Sequence, residues 1–165
     1  MSSPLIDEAR KKAAIAWLTV AGSPACGVWC LAVEEALYVV SGPGEQPAPG
    51  LATAGEALVT VRGDHGGRIV TWPATVTRVW PGTDEWDTVA PQLAAKRLNA
   101  SGTADALMAR WAAECAISRL SAAGPPVEGG ATLPSGSLAA PPLPTPAARR
   151  TRNPFRLHRV RPPRP

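Results

Sequence analysis

The feature that most restricts the fold of this chain is a pair of short apolar runs on either side of a Gly/Pro-rich corner. The runs are Ala36–Ser41 and Ala57–Arg62, and the corner is Gly42–Pro49. Both runs alternate with a period of two and contain β-branched or aromatic residues, which is typical of strands. The corner offers backbone N–H groups and little side-chain bulk where a strand ends, an arrangement suited to an anion. The alternative, which turn signals of this kind favour, is an ordinary wide turn of a β domain.

Alternation predicts four further strands, which are Ala16–Ala21, Ala25–Val33, Arg68–Trp80 and Cys115–Leu120. Short connectors join the first three strands of the chain, so these are predicted to form an antiparallel meander. The long strand contains Pro73, which marks an edge or a bulge because proline donates no ladder hydrogen bond. One face of that strand is predicted to be apolar and to comprise Val70, Trp72, Ala74, Val76 and Trp80. Of these, Trp72 is expected to lie in the core.

Three helices are predicted from their caps and first turns. They follow Ser3, Thr83 and Thr103, each with apolar or charged residues at helical spacing. Taken with the strands, this order predicts an α+β fold, a small antiparallel β-barrel with peripheral helices.

Charge is divided unevenly along the 165 residues. Residues 1–120 carry 10 Lys+Arg and 12 Asp+Glu, whereas residues 121–165 carry seven Arg and one Glu. The predicted body, 1–120, is therefore mildly acidic and offers no support for a nucleic-acid face. The segment 121–165, rich in Pro, Ala, Arg and Gly, is predicted to be a disordered tail. Two alternatives are a basic arm that binds acidic surfaces or nucleic acid weakly, and translation past a shifted frame.

The cysteines do not form a ligand or disulfide pattern. Cys26 and Cys30 are about 13 Å apart if they lie on one strand, and a disulfide needs Cα atoms within about 7 Å. They are therefore expected to be free thiols of a reducing cytoplasm. Cys115 and the two histidines lie far away in sequence, so no metal site is expected. No stretch approaches the roughly 20 apolar residues of a membrane span, and no signal peptide is visible.

Three segments together resemble a known family. They are GVWCLAVEEALYVVSGPGEQ, LVTVRGDHGGRIVTWPATVTRV and the helix end AAKRLN. They resemble the pyridoxamine 5′-phosphate oxidase-like split-barrel flavoproteins, especially the short actinobacterial members with GPGEQ and VRGxxGGR. The resemblance covers roughly residues 15–120. It implies a six-stranded split barrel, a homodimer, and FMN or the deazaflavin coenzyme F-420 at the dimer interface.

The resemblance also implies a set of cofactor-binding residues. The flavin ring is expected along Val39–Ser41 and Val59–Arg62, and the phosphate in the corner, where this chain has Glu45 and no base. The candidates are Val40, Ser41, Gly42, Gly44, Gln46, Arg62 and Arg68. For the two arginines the alternative is a solvated strand end and a solvated turn.

Three classes of function remain open. The first is a flavin- or deazaflavin-dependent oxidoreductase that acts on a small organic substrate. The others are a cofactor-binding protein without turnover and a dimeric scaffold that has lost its cofactor. No nucleophile–base pair stands out in the sequence, so in an enzyme the cofactor would carry the chemistry.

Overall fold

The computed structural model describes residues 3–63 and 68–133. The chain divides into two units, Met1–Pro134 and Ser135–Pro165. The second unit, and the part of the predicted tail beyond residue 133, lie outside the described residues.

The described part contains three α-helices and eight β-strands. The helices are α1 Pro4–Lys12, α2 Asp84–Lys96 and α3 Ala104–Glu114. The strands are β1 Ile15–Thr19, β2 Cys26–Trp29, β3 Leu31–Val33, β4 Ala36–Ser41, β5 Glu56–Arg62, β6 Arg68–Val79, β7 Ala116–Ala122 and β8 Glu128–Gly129. None of these helices combines the length and the apolar character needed to cross a membrane.

The helix starts follow the predicted caps. The Thr83 hydroxyl accepts the N–H of Trp86, and the Thr103 hydroxyl accepts the N–H of Ala106, both at 3.2 Å. Each bond satisfies one N–H that has no partner within its helix. Ser3 stands at the N-cap of α1 but makes no side-chain capping bond.

The strands form one antiparallel sheet that nearly closes on itself. Its order is β2-β1-β5-β6-β7-β4-β3, with β8 added beside β6. The two end strands, β2 and β3, are separated only by Cys30, whose N–H donates to the carbonyl of Ala14 over 3.0 Å. Ala25–Val33, predicted as one strand, therefore breaks at Cys30, because its first half pairs with β1 and its second half with β4. This break and the short β8 account for the difference between six predicted strands and eight observed ones.

Two cores lie on opposite faces of the sheet. The barrel interior holds Leu18, Val28, Val39, Val59 and Trp72, and α1 adds Ile6. The second core lies between the sheet and α2 and α3, and includes Tyr38, Val40, Leu93, Trp111 and Ile117. All six residues of β4 are buried, because one of its faces belongs to each core. Trp72 is 2% exposed, which confirms its predicted place in the core.

The predicted apolar face of β6 is correct up to Val76 and wrong at Trp80. Val70, Trp72, Ala74 and Val76 all belong to the barrel interior. Val79 belongs instead to the second core, and the strand ends there. Trp80 is 56% exposed, and the Arg78 guanidinium stacks on it at 4.1 Å.

Paired strands continue past residue 120, where the body was predicted to end. β7 continues to Ala122, and β8 then pairs with β6 through Val70↔Gly129 and Thr71↔Glu128. The N–H of Val127 donates to the carbonyl of Thr71 over 2.9 Å. β7 pairs only with the second half of β6, and this segment supplies hydrogen bonds to the first half.

Candidate functional site

A buried carboxylate holds the corner that follows β4. The side chain of Glu45 has no exposed surface. Its Oε2 accepts a hydrogen bond from Arg97 Nε over 2.8 Å, and its Oε1 accepts one from Arg110 Nη2 over 2.6 Å. The indole Nε1–H of Trp111 also donates to Oε1, over 2.9 Å. The corner therefore has two bases, although its own sequence contains none.

Both arginines also bind the backbone of the corner. Arg97 Nη2 donates to the carbonyl of Gly44 over 3.4 Å, and Arg110 Nη1 donates to the carbonyl of Pro43. Arg97 is the C-cap that directly follows α2, and Arg110 lies in α3. These contacts fasten the end of β4 to two helices that follow much later in the chain.

The hydrogen bonds keep Glu45 ionised. Burial by itself raises the pKa of this carboxyl group, but the bonds from Trp111, Arg110 and Arg97 outweigh that effect, so the pKa is lowered. The bond to Glu45 in turn raises the pKa of Arg110. Glu45 and Arg110 are therefore both charged at neutral pH.

Two glycines of the corner permit this close packing. Gly44 has φ +76, and a Cβ there would lie 2.8 Å from Arg110 Nη1. Gly42 has φ +138, and a Cβ there would lie 2.9 Å from the Cα of Cys115. Both positions need glycine, for the backbone conformation and for the space.

Arg97 also lines a cavity of about 610 Å³. It is bounded by the end of α1, the start of β1, the break between β2 and β3, and the end of α2. We call it the apolar cavity, because Ile15, Trp29, Leu31 and Leu98 contribute to its lining. Basic side chains line it as well, namely Lys11, Lys12, Lys96 and Arg97.

Trp29 and Gln46, which line the apolar cavity, carry side-chain N–H donors without a described partner. The Nε1 atom of Trp29 is buried and has no hydrogen-bond partner among the described residues. The Oε1 atom of Gln46 accepts the backbone N–H of Trp29 over 2.6 Å, which leaves the amide NH₂ of Gln46 as a donor. Lys12 is paired with Glu8 over 2.7 Å, at the surface.

The structure brings the predicted corner residues together around three cavities. Gln46 borders the apolar cavity, and Gly44 borders a second cavity of about 580 Å³ beside Arg97 and Arg110. Ser41 and Gly42 border a third cavity, of about 530 Å³. Val40 is buried in the second core and lines none of these three cavities.

Arg62 and Arg68 lie apart from the corner. They pair with each other at the first residue of β6, whereas Ser41 pairs with Ala116, next to the end of β6. The two places are thus at opposite ends of β6, which is 12 residues long. The Arg62 guanidinium stacks on Trp17 at 4.5 Å. The side chain of Arg68, like the whole of His65, is outside the described residues.

The three cysteines are free thiols. Burial raises the pKa of Cys30 to about 12, and burial also raises the pKa of Cys115, although Arg110 acts in the opposite direction. Both thiols are therefore protonated at neutral pH and weakly nucleophilic. Among the described residues, no group of three or more His, Cys, Asp and Glu is placed to hold a metal ion.

Comparison with solved structures shows the fold. The chain is similar to HutZ, the heme storage protein from Vibrio cholerae, with 16% identity, a TM-score of 0.54, and coverage of 74% of this chain and 90% of that one. The fold is a split barrel. Also similar are a provisionally named pyridoxamine 5′-phosphate oxidase from Listeria innocua (10% identity, 72% and 91% coverage, TM-score 0.48) and the flavocytochrome Anf3 from Azotobacter vinelandii (13%, 87% and 82%, 0.47). No family model matches the chain, and no curated protein matches it.

Proposed function

We propose that this split barrel binds a flavin or deazaflavin in the apolar cavity and acts as an oxidoreductase on a small organic substrate. The observation that carries the proposal is the cavity itself, about 610 Å³ in volume with apolar and basic residues in one lining. That size is within the range of small-molecule sites. An apolar space beside cations suits a planar aromatic ligand that carries an anionic group, and FMN is such a molecule.

The polar groups of the cavity fit the ring of a flavin. A flavin ring presents carbonyl oxygens and ring nitrogens that accept hydrogen bonds. The buried Nε1–H of Trp29 and the amide NH₂ of Gln46 are donors with nothing else described to bind. A ligand that accepts from Trp29 would remove the cost of leaving a buried N–H unpaired.

The lysines fit the anionic end of such a ligand. Lys11 and Lys96 are exposed and border the cavity. Exposed charges of this kind contribute about 0.2–1 kcal/mol each, so the ring, rather than the phosphate, would supply most of the affinity. When bound, a flavin supplies hydride or electron transfer, and the chain supplies orientation and an apolar environment.

We also propose that the chain forms a homodimer through the outer face of β1 and β5. Ile15, Trp17 and Leu58 point away from the barrel interior there, and Ile15 and Leu58 are 56% and 40% exposed. The buried apolar residues of the three helices belong to the two cores and not to this face. Ile15 also borders the apolar cavity, so a second copy on this face would border the cavity as well.

Heme is the other cofactor to consider, because HutZ is described as a heme storage protein. Imidazole is a common axial ligand of heme iron. Both histidines, His65 and His158, lie outside the described residues, so the described cavity supplies no imidazole. We favour a flavin because hydrogen-bond donors of Trp29 and Gln46 occur in the same lining as the basic side chains.

Absorption spectra and titrations test the proposal. The purified protein should show a flavin or deazaflavin band, or should quench flavin fluorescence when FMN or riboflavin is added. Leu98, which is 78% exposed, can be changed to Asp without removing a core residue. Leu98→Asp should weaken flavin binding about tenfold, through repulsion and loss of apolar contact. Val127→Asp, at another exposed apolar residue, is the control and should bind normally.

A wild-type protein that binds none of FMN, riboflavin and deazaflavin would refute the proposal. A protein that binds only heme would replace it with the heme alternative. Equal flavin affinities of wild type and Leu98→Asp would show that the flavin does not bind in the apolar cavity.

A further inference from the structure

We propose that the corner is an anion-binding site whose occupant is the chain's own Glu45, and that this carboxylate excludes phosphate from the corner. The part of the inference that concerns flavins rests on the proposed function. The part that concerns the anion site stands on the geometry alone.

The donors around Glu45 form a built site. Two guanidinium groups and one indole N–H converge on a single carboxylate, with donor–acceptor distances between 2.6 and 2.9 Å. The carboxylate is completely buried, while the side chains of Arg97 and Arg110 are 23% and 32% exposed. Guanidinium groups bind carboxylate and phosphate in the same way, through fixed, charge-assisted N–H donors. The geometry would therefore accept a free anion if Glu45 were absent.

Charge determines which anions the corner tolerates. The two arginines and Glu45 leave one excess positive charge, and Glu114 lines the cavities on both sides of the corner. A phosphate dianion would therefore meet no net positive charge, because Glu114 offsets that excess. Without Glu45, the positive charge of the two arginines would exceed the negative charge of Glu114 by one. Because burial of an uncompensated charge is costly, the native corner selects against phosphate.

The position of Arg97 links this corner to the ligand. Arg97 lines both the apolar cavity and the cavity beside Gly44 and Arg110. A flavin in the apolar cavity would thus lie next to the corner. Arg97 could then pair with the flavin phosphate, but it is already paired with Glu45. Since FMN and riboflavin differ only by the phosphate, the native protein should bind them with similar affinity, within about fivefold.

Anion rescue tests the site without a flavin. Glu45→Ala removes the carboxylate, and its melting temperature is measured in sodium formate, sodium phosphate and sodium chloride at equal ionic strength. Formate or phosphate should raise the melting temperature of this variant in a saturable way, because they bind the folded state. Wild type and Glu35→Ala, which removes an exposed carboxylate at the turn between β3 and β4, should show only the general, non-saturable stabilisation that phosphate gives any folded protein. If Glu45→Ala does not fold in chloride, its refolding yield in phosphate replaces the melting temperature.

Equal responses of Glu45→Ala to chloride, formate and phosphate would overturn the inference. The flavin arm compares affinities for FMN and riboflavin. The FMN-to-riboflavin affinity ratio should shift toward FMN by about tenfold or more in Glu45→Ala and stay unchanged in Glu35→Ala. An unchanged ratio would overturn the exclusion of the cofactor phosphate. Failure of wild type to bind any flavin would count against the proposed function, while rescue by formate would still establish the anion site.

Discussion

Trp111 donates its indole N–H to Oε1 of Glu45 over 2.9 Å. The ring of Trp111 is completely buried in the core between the sheet and the helices, whereas Glu45 belongs to the corner after β4. One hydrogen bond thus joins the packing of α3 to the conformation of the corner. Phenylalanine can fill much of the same space without donating this bond.

Trp111→Phe should therefore destabilise the fold through the loss of a hydrogen bond to a charged group. The expected loss is about 1.5–3 kcal/mol, with a further contribution from the smaller ring. Thermal and urea unfolding measure it. Trp80→Phe is the control and should have little effect, because Trp80 is 56% exposed. Equal losses in the two variants would show that the hydrogen bond adds nothing measurable.

The lowered pKa of Glu45 predicts how stability depends on acid pH. The folded pKa lies below the ordinary value of 4.5, so the ionised carboxylate stabilises the folded state above that pH. This contribution is lost as the pH falls below 4.5 and through the folded pKa. The difference in free energy of unfolding between wild type and Glu45→Gln should therefore be constant near neutrality and shrink under acid conditions. Urea unfolding at a series of pH values measures it, and a difference that grows toward acid would contradict the assignment.

Tyr38 predicts the behaviour at alkaline pH. Burial and the hydrogen bond that its hydroxyl donates to Glu85 over 2.8 Å raise the pKa of Tyr38 to about 12. Its contribution to stability is present below the ordinary value of 10 and is lost as the pH rises toward 12. Tyr38 is the only tyrosine of the chain, so tyrosinate absorbance reports it directly. Glu85→Gln keeps a hydrogen-bond acceptor but removes the charge, and should lower the midpoint. A midpoint near 10 in wild type would contradict the prediction.

The local pattern of the sequence predicted the framework well and the site only in part. β4 has the predicted bounds, Ala36–Ser41, because period-two alternation is a local property of the chain. The residues that neutralise Glu45 are 52 and 65 positions away from it, so no local pattern around the corner indicates them. Two signals were available in the sequence. One is a basic residue at the end of a helix, in AAKRLN, and the other is an acidic residue in the glycine-rich corner.

The errors in the predicted strands have related causes. Cys30 interrupts no pattern, yet the strand changes partners there because closing a small barrel requires it. Trp80 continues the alternation of β6, but the strand has already ended at Val79. β8 has only two residues, which is too short for periodicity to reveal. In each case tertiary pairing decides what local alternation leaves open.

The close contact between Gly44 and Arg110 predicts a difference between two glycine substitutions. Gly44 and Gly82 have nearly the same conformation, with φ +76 and +80, so alanine causes similar backbone strain at both. A Cβ at Gly44 would also lie 2.8 Å from Arg110 Nη1, whereas nothing lies within 4 Å of one at Gly82. Gly44→Ala should therefore cost more than Gly82→Ala, by about 1–2 kcal/mol. Equal costs in urea unfolding would mean that Arg110 moves away freely.

The pairing of β8 with β6 predicts the effect of shortening the chain. Truncation after Leu133 keeps β8, and truncation after Gly124 removes it together with the hydrogen bond from Val127 to the carbonyl of Thr71. Thr71 is only 6% exposed, so removing this cover exposes a buried hydroxyl and ladder groups of β6. Each lost backbone hydrogen bond costs about 0.5–1.5 kcal/mol. The shorter protein should melt several degrees below the longer one. Identical melting temperatures would show that β8 contributes nothing to the stability of the barrel.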